Sequence, residues 1–334
     1  MKSRAKKYDK KAYKFYVFNP STNKIISAWE YKEDAKEHLQ ELSFTDLKVY
    51  TRTYLLRKKL NPELNKNWGT DLSGIKKKSK HEQNKDIEKF IDYKDFKGSS
   101  YSKSDIEYIQ QYEGAGGKAS QGAKGRALLD EFYTPDYIAE YMYKLAVKYG
   151  YKKGHILEPS IATGNIIKPF YKKKDFKSIT AFEINPYTKR IAELTYPKIE
   201  IYLEYFETAF LDKPRFVSAI KNKKEPTWLQ NYPFDLVIGN PPYGIHKNKY
   251  SPYFKGKDRF KQVETFFIYK GLQLLKKGGL LVYITSSNFM RTGTSNWAEK
   301  ERMGQIAEFV DAYRLPKVFA SSEVPTDILI FRRK

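Results

Sequence analysis

The chain has 334 residues, enough to bury one large core and a smaller appendage. It carries 62 Lys+Arg against 39 Asp+Glu, a formal net charge of +23, and so large a basic excess implies a polyanionic partner. Cysteine is absent, which excludes disulfides, thiol catalysis and Cys-based zinc sites. No run approaches the roughly 18 apolar residues of a spanning helix, and Met1-Lys2-Ser3-Arg4 leads into Lys6-Lys7 without an apolar signal core, so no membrane partner is expected. Aromatics reach 16%, with 28 Tyr and 21 Phe; interleaved with basic charge they fit nucleic-acid binding, or the codon usage of an AT-rich genome. His38, His81, His155 and His246 show no ligand spacing and read as surface or packing residues, so no metal is expected.

In chain order, residues 1–60 read as a small α+β domain of βαβ type. Tyr13 to Phe18 alternates into a strand, Asn19-Pro20-Ser21-Thr22-Asn23 turns, and Lys24 to Trp29 is a second strand. A helix from Lys32 to Leu42 and a strand from Leu47 to Tyr54 follow. Residues 61–125 read as a basic, partly helical connector, with Lys76-Lys77-Lys78 and Gly114-Ala115-Gly116-Gly117 interrupting short apolar patches. Residues 126–334 alternate helices with short apolar strands: a helix through Ile138 to Val147, then strands at 155–157, 179–182, 199–203, 236–239, 280–285, 309–313 and 328–331. That alternation predicts an α/β fold with a doubly wound sheet, whose ligands sit at the carboxyl ends of the strands.

Each candidate functional residue falls at such an end. The first strand of this domain stops at Glu158-Pro159-Ser160, with Gly164-Asn165 following, a small-residue turn that lets a ligand approach the backbone. The second ends in Phe182-Glu183-Ile184-Asn185, an acid about 20 residues beyond a Gly-bearing turn, the pattern that binds ribose hydroxyls. The third runs into Glu204-Tyr205-Phe206-Glu207, an aromatic beside an acid. The fourth ends in Asn240-Pro241-Pro242-Tyr243. Proline lacks an N–H, so the pair stops the strand and leaves a rigid loop with an amide on one side and a ring on the other. An amide oxygen accepts from an exocyclic amine and a ring stacks on a flat heterocycle, which suits a nucleobase.

From about Tyr112 onward the chain resembles the adenine-N6 DNA methyltransferases of gamma-type motif order. The resemblance rests on Phe132-Tyr133-Thr134-Pro135, on Ile156 to Asn165, on Phe182 to Asn185, on Asp235 to Gly244, on Lys277 to Ile284, and on Val318-Phe319-Ala320 with Val324 to Asp327. It implies a class I methyltransferase fold, Rossmann-like and mostly parallel with an antiparallel last strand, and S-adenosylmethionine as cofactor. Tyr133, Thr134 and Pro135, the turn Glu158-Pro159-Ser160 and Gly164-Asn165 would then meet the cofactor, with Asn240 beside it. Glu183 with Ile184 would bind its ribose, and Phe206 with Glu207 its adenine; Glu204 is a rival acid. Asn240, Pro241, Pro242 and Tyr243 would be catalytic, with Tyr243 and Phe319 sandwiching a flipped-out target base.

The expected activity is methyl transfer to adenine N6 in duplex DNA, in a restriction-modification setting. An RNA adenine or protein glutamine methyltransferase, or a non-catalytic anti-restriction module, are the alternatives. Two departures bear on this reading. A long insertion, Leu211 to Tyr232, carries Lys213, Arg215, Lys221, Lys223 and Lys224, either a DNA-facing element or an exposed basic loop. The chain also ends at Phe331-Arg332-Arg333-Lys334, where such enzymes usually continue into a target-recognition domain, so sequence reading is expected from another segment or from a partner subunit. A cytoplasmic bacterial or mobile-element setting is expected; the oligomeric state stays open.

Overall fold

The computed structural model describes residues 14–20, 24–29, 31–41, 47–58, 80–113, 133–212, 220–221, 229–290, 297–316 and 325–334. The chain divides into two compact units, Met1–Ser79 and Lys80–Lys334.

In the first unit, β1 (Phe15–Asn19) lies between β2 (Lys24–Trp29) and β3 (Lys48–Thr51) and is antiparallel to both. Strands β2 and β3 therefore run parallel to each other, joined by α1 (Lys32–Glu41), which is a βαβ unit split by β1. Alternation along β1 fills both faces: Tyr16 and Phe18 pack with Ala28 and Leu55, whereas Val17 packs with Ala35 and Leu47. The strand expected over Leu47 to Tyr54 stops at Thr51 and becomes α2 (Arg52–Arg57). Thr51 Oγ1 accepts the backbone N–H of Tyr54 at 3.2 Å, so a threonine that reads as a strand former acts as a helix cap.

The second unit opens with α3 (Lys80–Phe96) and α4 (Lys103–Ile109). The connector expected over 61–125 is thus divided, because residues 80–113 belong to this unit. Ile87 and Ile91, one helical turn apart, pack with Ile109, Tyr112 and Ile191. Asp95 accepts from Arg190 Nε and Nη2 at 2.8 and 2.7 Å. The glycine stretch 114–117 lies outside the described residues.

The elements that follow are α5 (Asp136–Lys148), β4 (His155–Glu158), α6 (Lys168–Lys173), β5 (Ser178–Glu183), α7 (Pro186–Thr195), β6 (Glu200–Leu203), β7 (Phe234–Gly239), α8 (Val263–Leu274), β8 (Leu275–Ser286), α9 (Trp297–Ile306), β9 (Ala307–Arg314) and β10 (Thr326–Arg333). The strands form one seven-stranded sheet in the order β6-β5-β4-β7-β8-β10-β9. Strands β6 through β8 pair in parallel, and β10 is antiparallel to both its neighbours. This is the expected mostly parallel sheet with an antiparallel last strand, the class I methyltransferase arrangement.

Its strands are apolar on both faces, as a sheet sandwiched between helices requires. Leu157, Val237, Leu281 and Leu329 face α8 and its phenylalanines, while Ile156, Ile238, Val282 and Ile330 face α5 and α6. Strand order reverses between β4 and β7, which opens a crevice at their carboxyl ends. Among the described residues no helix is long and apolar enough to cross a membrane.

Candidate active site

Strand β4 delivers Glu158 to this crevice almost completely buried, 1% exposed. Its Oε1 accepts from the backbone N–H and hydroxyl of Ser160 at 3.1 and 3.4 Å, while Oε2 is buried without a hydrogen-bond partner. Burial pushes this carboxyl up to about 8; the Ser160 bonds oppose the shift and the charge of Glu183 adds to it. Neighbouring Gly239 of β7 leaves the carboxylate its room, because a Cβ there would lie 2.7 Å from Oε1. Beyond Pro159 the turn is tight: Ala162 and Gly164 have φ of 49° and 88°, and a Cβ on Gly164 would meet the Tyr196 ring at 2.5 Å.

Strand β5 ends in Glu183, whose carboxylate accepts three backbone N–H groups, from Ala162 at 2.7 Å and from Ile184 and Asn185 at 2.8 Å each. It thereby ties the turn after β4 to the start of α7, where Asn185 caps the helix through Tyr187 N.

Strand β6 leads into a 3-10 turn over Phe206–Phe210. This turn carries both residues expected at a cofactor adenine into the interior. Phe206 is packed against Phe182, Phe210 and Phe267, and the Glu207 carboxylate accepts from Asn248 Nδ2 and lies 2.9 Å from His246 Nε2. The rival acid Glu204 and its neighbour Tyr205 are the half-exposed residues of this segment. His246, expected at the surface or as simple packing, is buried and bonded to a buried acid.

Strand β7 ends at Gly239, and three segments converge on the next residue, Asn240. Its Nδ2 donates to Thr134 Oγ1 at 3.3 Å, its backbone carbonyl accepts from Ser160 Oγ at 3.3 Å, and its Oδ1 accepts from the Tyr243 hydroxyl at 2.6 Å. Thr134 is buried, and its carbonyl accepts from Asn165 Nδ2 at 3.0 Å, which draws Asn165 to the same place; Tyr133 and Pro135 flank it, half-buried. Pro241 is buried and Pro242 half-buried.

Sequence reasoning passed over Glu264 of α8. Its Oε2 accepts from Gly244 N at 3.0 Å and its Oε1 from Ser286 Oγ at 3.0 Å, so it fastens the chain just past Tyr243, where Gly244 has φ of 103°. The only clue in the sequence was an acid in the first turn of an otherwise apolar helix. Phe319 and most of the insertion, including Lys213, Arg215, Lys223 and Lys224, lie outside the described residues.

The residues present fit S-adenosylmethionine. A buried carboxylate oxygen without a partner suits the ammonium of an amino-acid group, and Gly239 and Gly164 keep the adjoining turns free of side chains. Among the described residues no cluster of His, Asp and Glu could hold a metal ion.

The sequence model of the Eco57I restriction-modification methylase family matches residues 160–319. The chain is 27% identical over 243 residues to Defense against restriction protein B of Escherichia phage P1, covering 71% of this chain and 9% of that protein. It is 37% identical over 76 residues to the type II restriction enzyme and methyltransferase RM.Eco57I of Escherichia coli, covering 20% and 8%. Against the type II methyltransferase M.TthHB8I of Thermus thermophilus it is 25% identical over 233 residues, covering 63% and 46%. The chain therefore spans less than half the length of each of these relatives. Together with the sheet order, these matches support an S-adenosylmethionine-dependent DNA methyltransferase family for this chain.

Proposed function

We propose that this chain methylates the N6 amine of adenine in DNA, on a base rotated out of the duplex. The observation that carries the reading is the Asn240 side chain, held at the end of β7 between Thr134 and Tyr243 and beside the Glu158–Ser160 turn. Because Thr134 Oγ1 accepts from Nδ2, the amide presents Oδ1 on its other side as an acceptor. The lone pair of an adenine N6 amine is delocalised into the ring and is weakly nucleophilic. Asn240 Oδ1 and the Pro241 carbonyl, each accepting one N6 hydrogen, localise that lone pair on nitrogen.

The cofactor supplies an electrophilic methyl group on a sulfonium. When bound, it would transfer that methyl in line to N6, with the carbon–sulfur bonding pair leaving on sulfur. Asn240 Oδ1 and the Pro241 carbonyl would hold the amine in place, and the proton it sheds would pass to solvent. An entering amine takes the place of the Tyr243 hydroxyl on Oδ1, and the displaced ring stacks on the base. Extrusion of the base is required because a target atom inside the stack is out of reach. Glu158 and Ser160 would hold the amino-acid end of the cofactor, and Glu183 its ribose.

The full chain is incubated with methyl-labelled cofactor and duplex DNA, single-stranded DNA, RNA or protein, followed by nucleoside analysis. N6-methyladenine in DNA is expected, and Asn240→Ala lowers its formation by at least about 100-fold with cofactor affinity intact. Wild-type rates in that variant, or label only in RNA or protein, refute the proposal. The similarity to an anti-restriction protein supports a second reading, protection of DNA from restriction without methyl transfer. Protection that survives Asn240→Ala favours it.

A further inference from the structure

The buried Glu207–His246 pair lies outside the chemistry just described, and its carboxylate is committed to the segment following the catalytic loop. Glu207 stands in the 3-10 turn after β6, and His246 comes three residues after Tyr243. Both side chains are nearly inaccessible, at 2% and 1%, and Nε2 lies 2.9 Å from Glu207 Oε1. The same oxygen accepts from Asn248 Nδ2. The His246 ring stacks on Phe266 of α8 at 4.5 Å between centroids, and its backbone N–H donates to Lys261 O at 2.9 Å.

Asn248 passes the constraint on. Its Oδ1 accepts from Tyr250 N at 2.9 Å and Ser251 N at 3.0 Å, shaping the short turn Ser251–Tyr253. A second tie runs alongside, where the Tyr250 ring meets Tyr205 edge-on at 5.4 Å and Lys249 Nζ sits 5.2 Å over Tyr205.

We infer that Glu207 is a positioning residue for the methyl transfer proposed above: it holds residues 244–254 through His246 and Asn248 and so sets where Asn240 to Tyr243 stand, and it does not bind the cofactor's adenine. A buried carboxylate left without these donors would be costly, so the pair is either kept intact or the segment moves. Two anchors then hold the exit of the catalytic loop, Glu264 on Gly244 N and Glu207 on His246 two residues later. Both donors meet Oε1, and an adenine at this carboxylate would have to reach a side chain that is only 2% exposed.

The inference rests on the proposed activity, and the test separates the two. In the full chain, His246→Leu keeps an apolar body against Phe266 and removes the donor, whereas His246→Gln places an amide nitrogen near the position of Nε2. Methyl transfer to duplex DNA, binding of S-adenosylhomocysteine by calorimetry, and hydrogen exchange over residues 244–254 are measured. His246→Leu is expected to lower kcat by about 100-fold and to lose exchange protection in that segment with ligand affinity unchanged, and His246→Gln to restore both. Asn248→Ala, at a half-buried position that tolerates truncation, is expected to show the same split more weakly. An unchanged kcat and exchange pattern in His246→Leu, or a weakened ligand affinity at wild-type kcat in Glu207→Gln, overturns the inference. A wild-type chain that forms no N6-methyladenine, with the exchange difference still present, removes the proposed activity and leaves the anchor standing.

Discussion

Glu158 is strongly altered by its surroundings, and the alteration has a sign that can be measured. Its carboxyl is raised from 4.5 to about 8 by burial, so between those two values and without cofactor the folded chain holds a proton that the unfolded chain has released. Stability of the cofactor-free protein therefore falls as pH rises from about 4.5 to about 8. Glu264 is raised as well, mainly by burial, and contributes in the same direction. Thermal unfolding between pH 5 and pH 8 is expected to show this decline in the wild type and a shallower one in Glu158→Gln, which should be the more stable protein at pH 8. The same substitution should weaken cofactor binding, because a neutral amide cannot pair with an ammonium as a carboxylate does. A wild type whose stability rises across that range would refute the account. The position of Glu158 at a strand end was legible in the sequence; the room for its buried carboxylate was not, since that depends on Gly239 from a strand about 80 residues away.

Among the elements, α3 carries the clearest consequence. Its Ile87 and Ile91 close a cluster with Ile191 of α7, the helix that starts directly after Glu183-Ile184-Asn185. Ile91→Ala is expected to destabilise the second unit by about 2–5 kcal/mol in urea unfolding, as large-to-small changes in a core do. A change below about 0.5 kcal/mol, typical of a surface site, would make α3 an appendage instead. The sequence showed Ile87 to Phe90 as one short apolar patch in a basic stretch, and composition alone placed that stretch in a linker. The strands of the sheet were legible to within about two residues at each end, except that β8 starts at Leu275 rather than Leu280, because their central residues form compact apolar runs. The helix α2 was not, because Arg52–Arg57 has a strand-like composition and depends on the Thr51 cap.

For the whole molecule the governing quantity is charge. The unit Met1–Ser79 holds 19 Lys+Arg against 9 Asp+Glu, so under a quarter of the chain contributes +10 of the net +23. DNA affinity should fall by at least about tenfold between 50 and 200 mM salt through counterion release, while cofactor affinity stays nearly constant. We propose a DNA-binding role for the first unit: deleting it should weaken DNA binding and flatten the salt dependence, and an unchanged slope would remove that role. By itself the sequence determined the class of fold, the order of the four strand ends and the amide–proline–aromatic loop, because each is written in contiguous residues. The tertiary structure alone decided which side chains those ends expose. Glu204 and Glu207 are three residues apart and chemically alike, yet the 3-10 turn leaves the first half-exposed and buries the second against His246, 39 residues away. Contacts made across that distance depend on how β6, α8 and the loop after β7 pack together, and no local pattern records it.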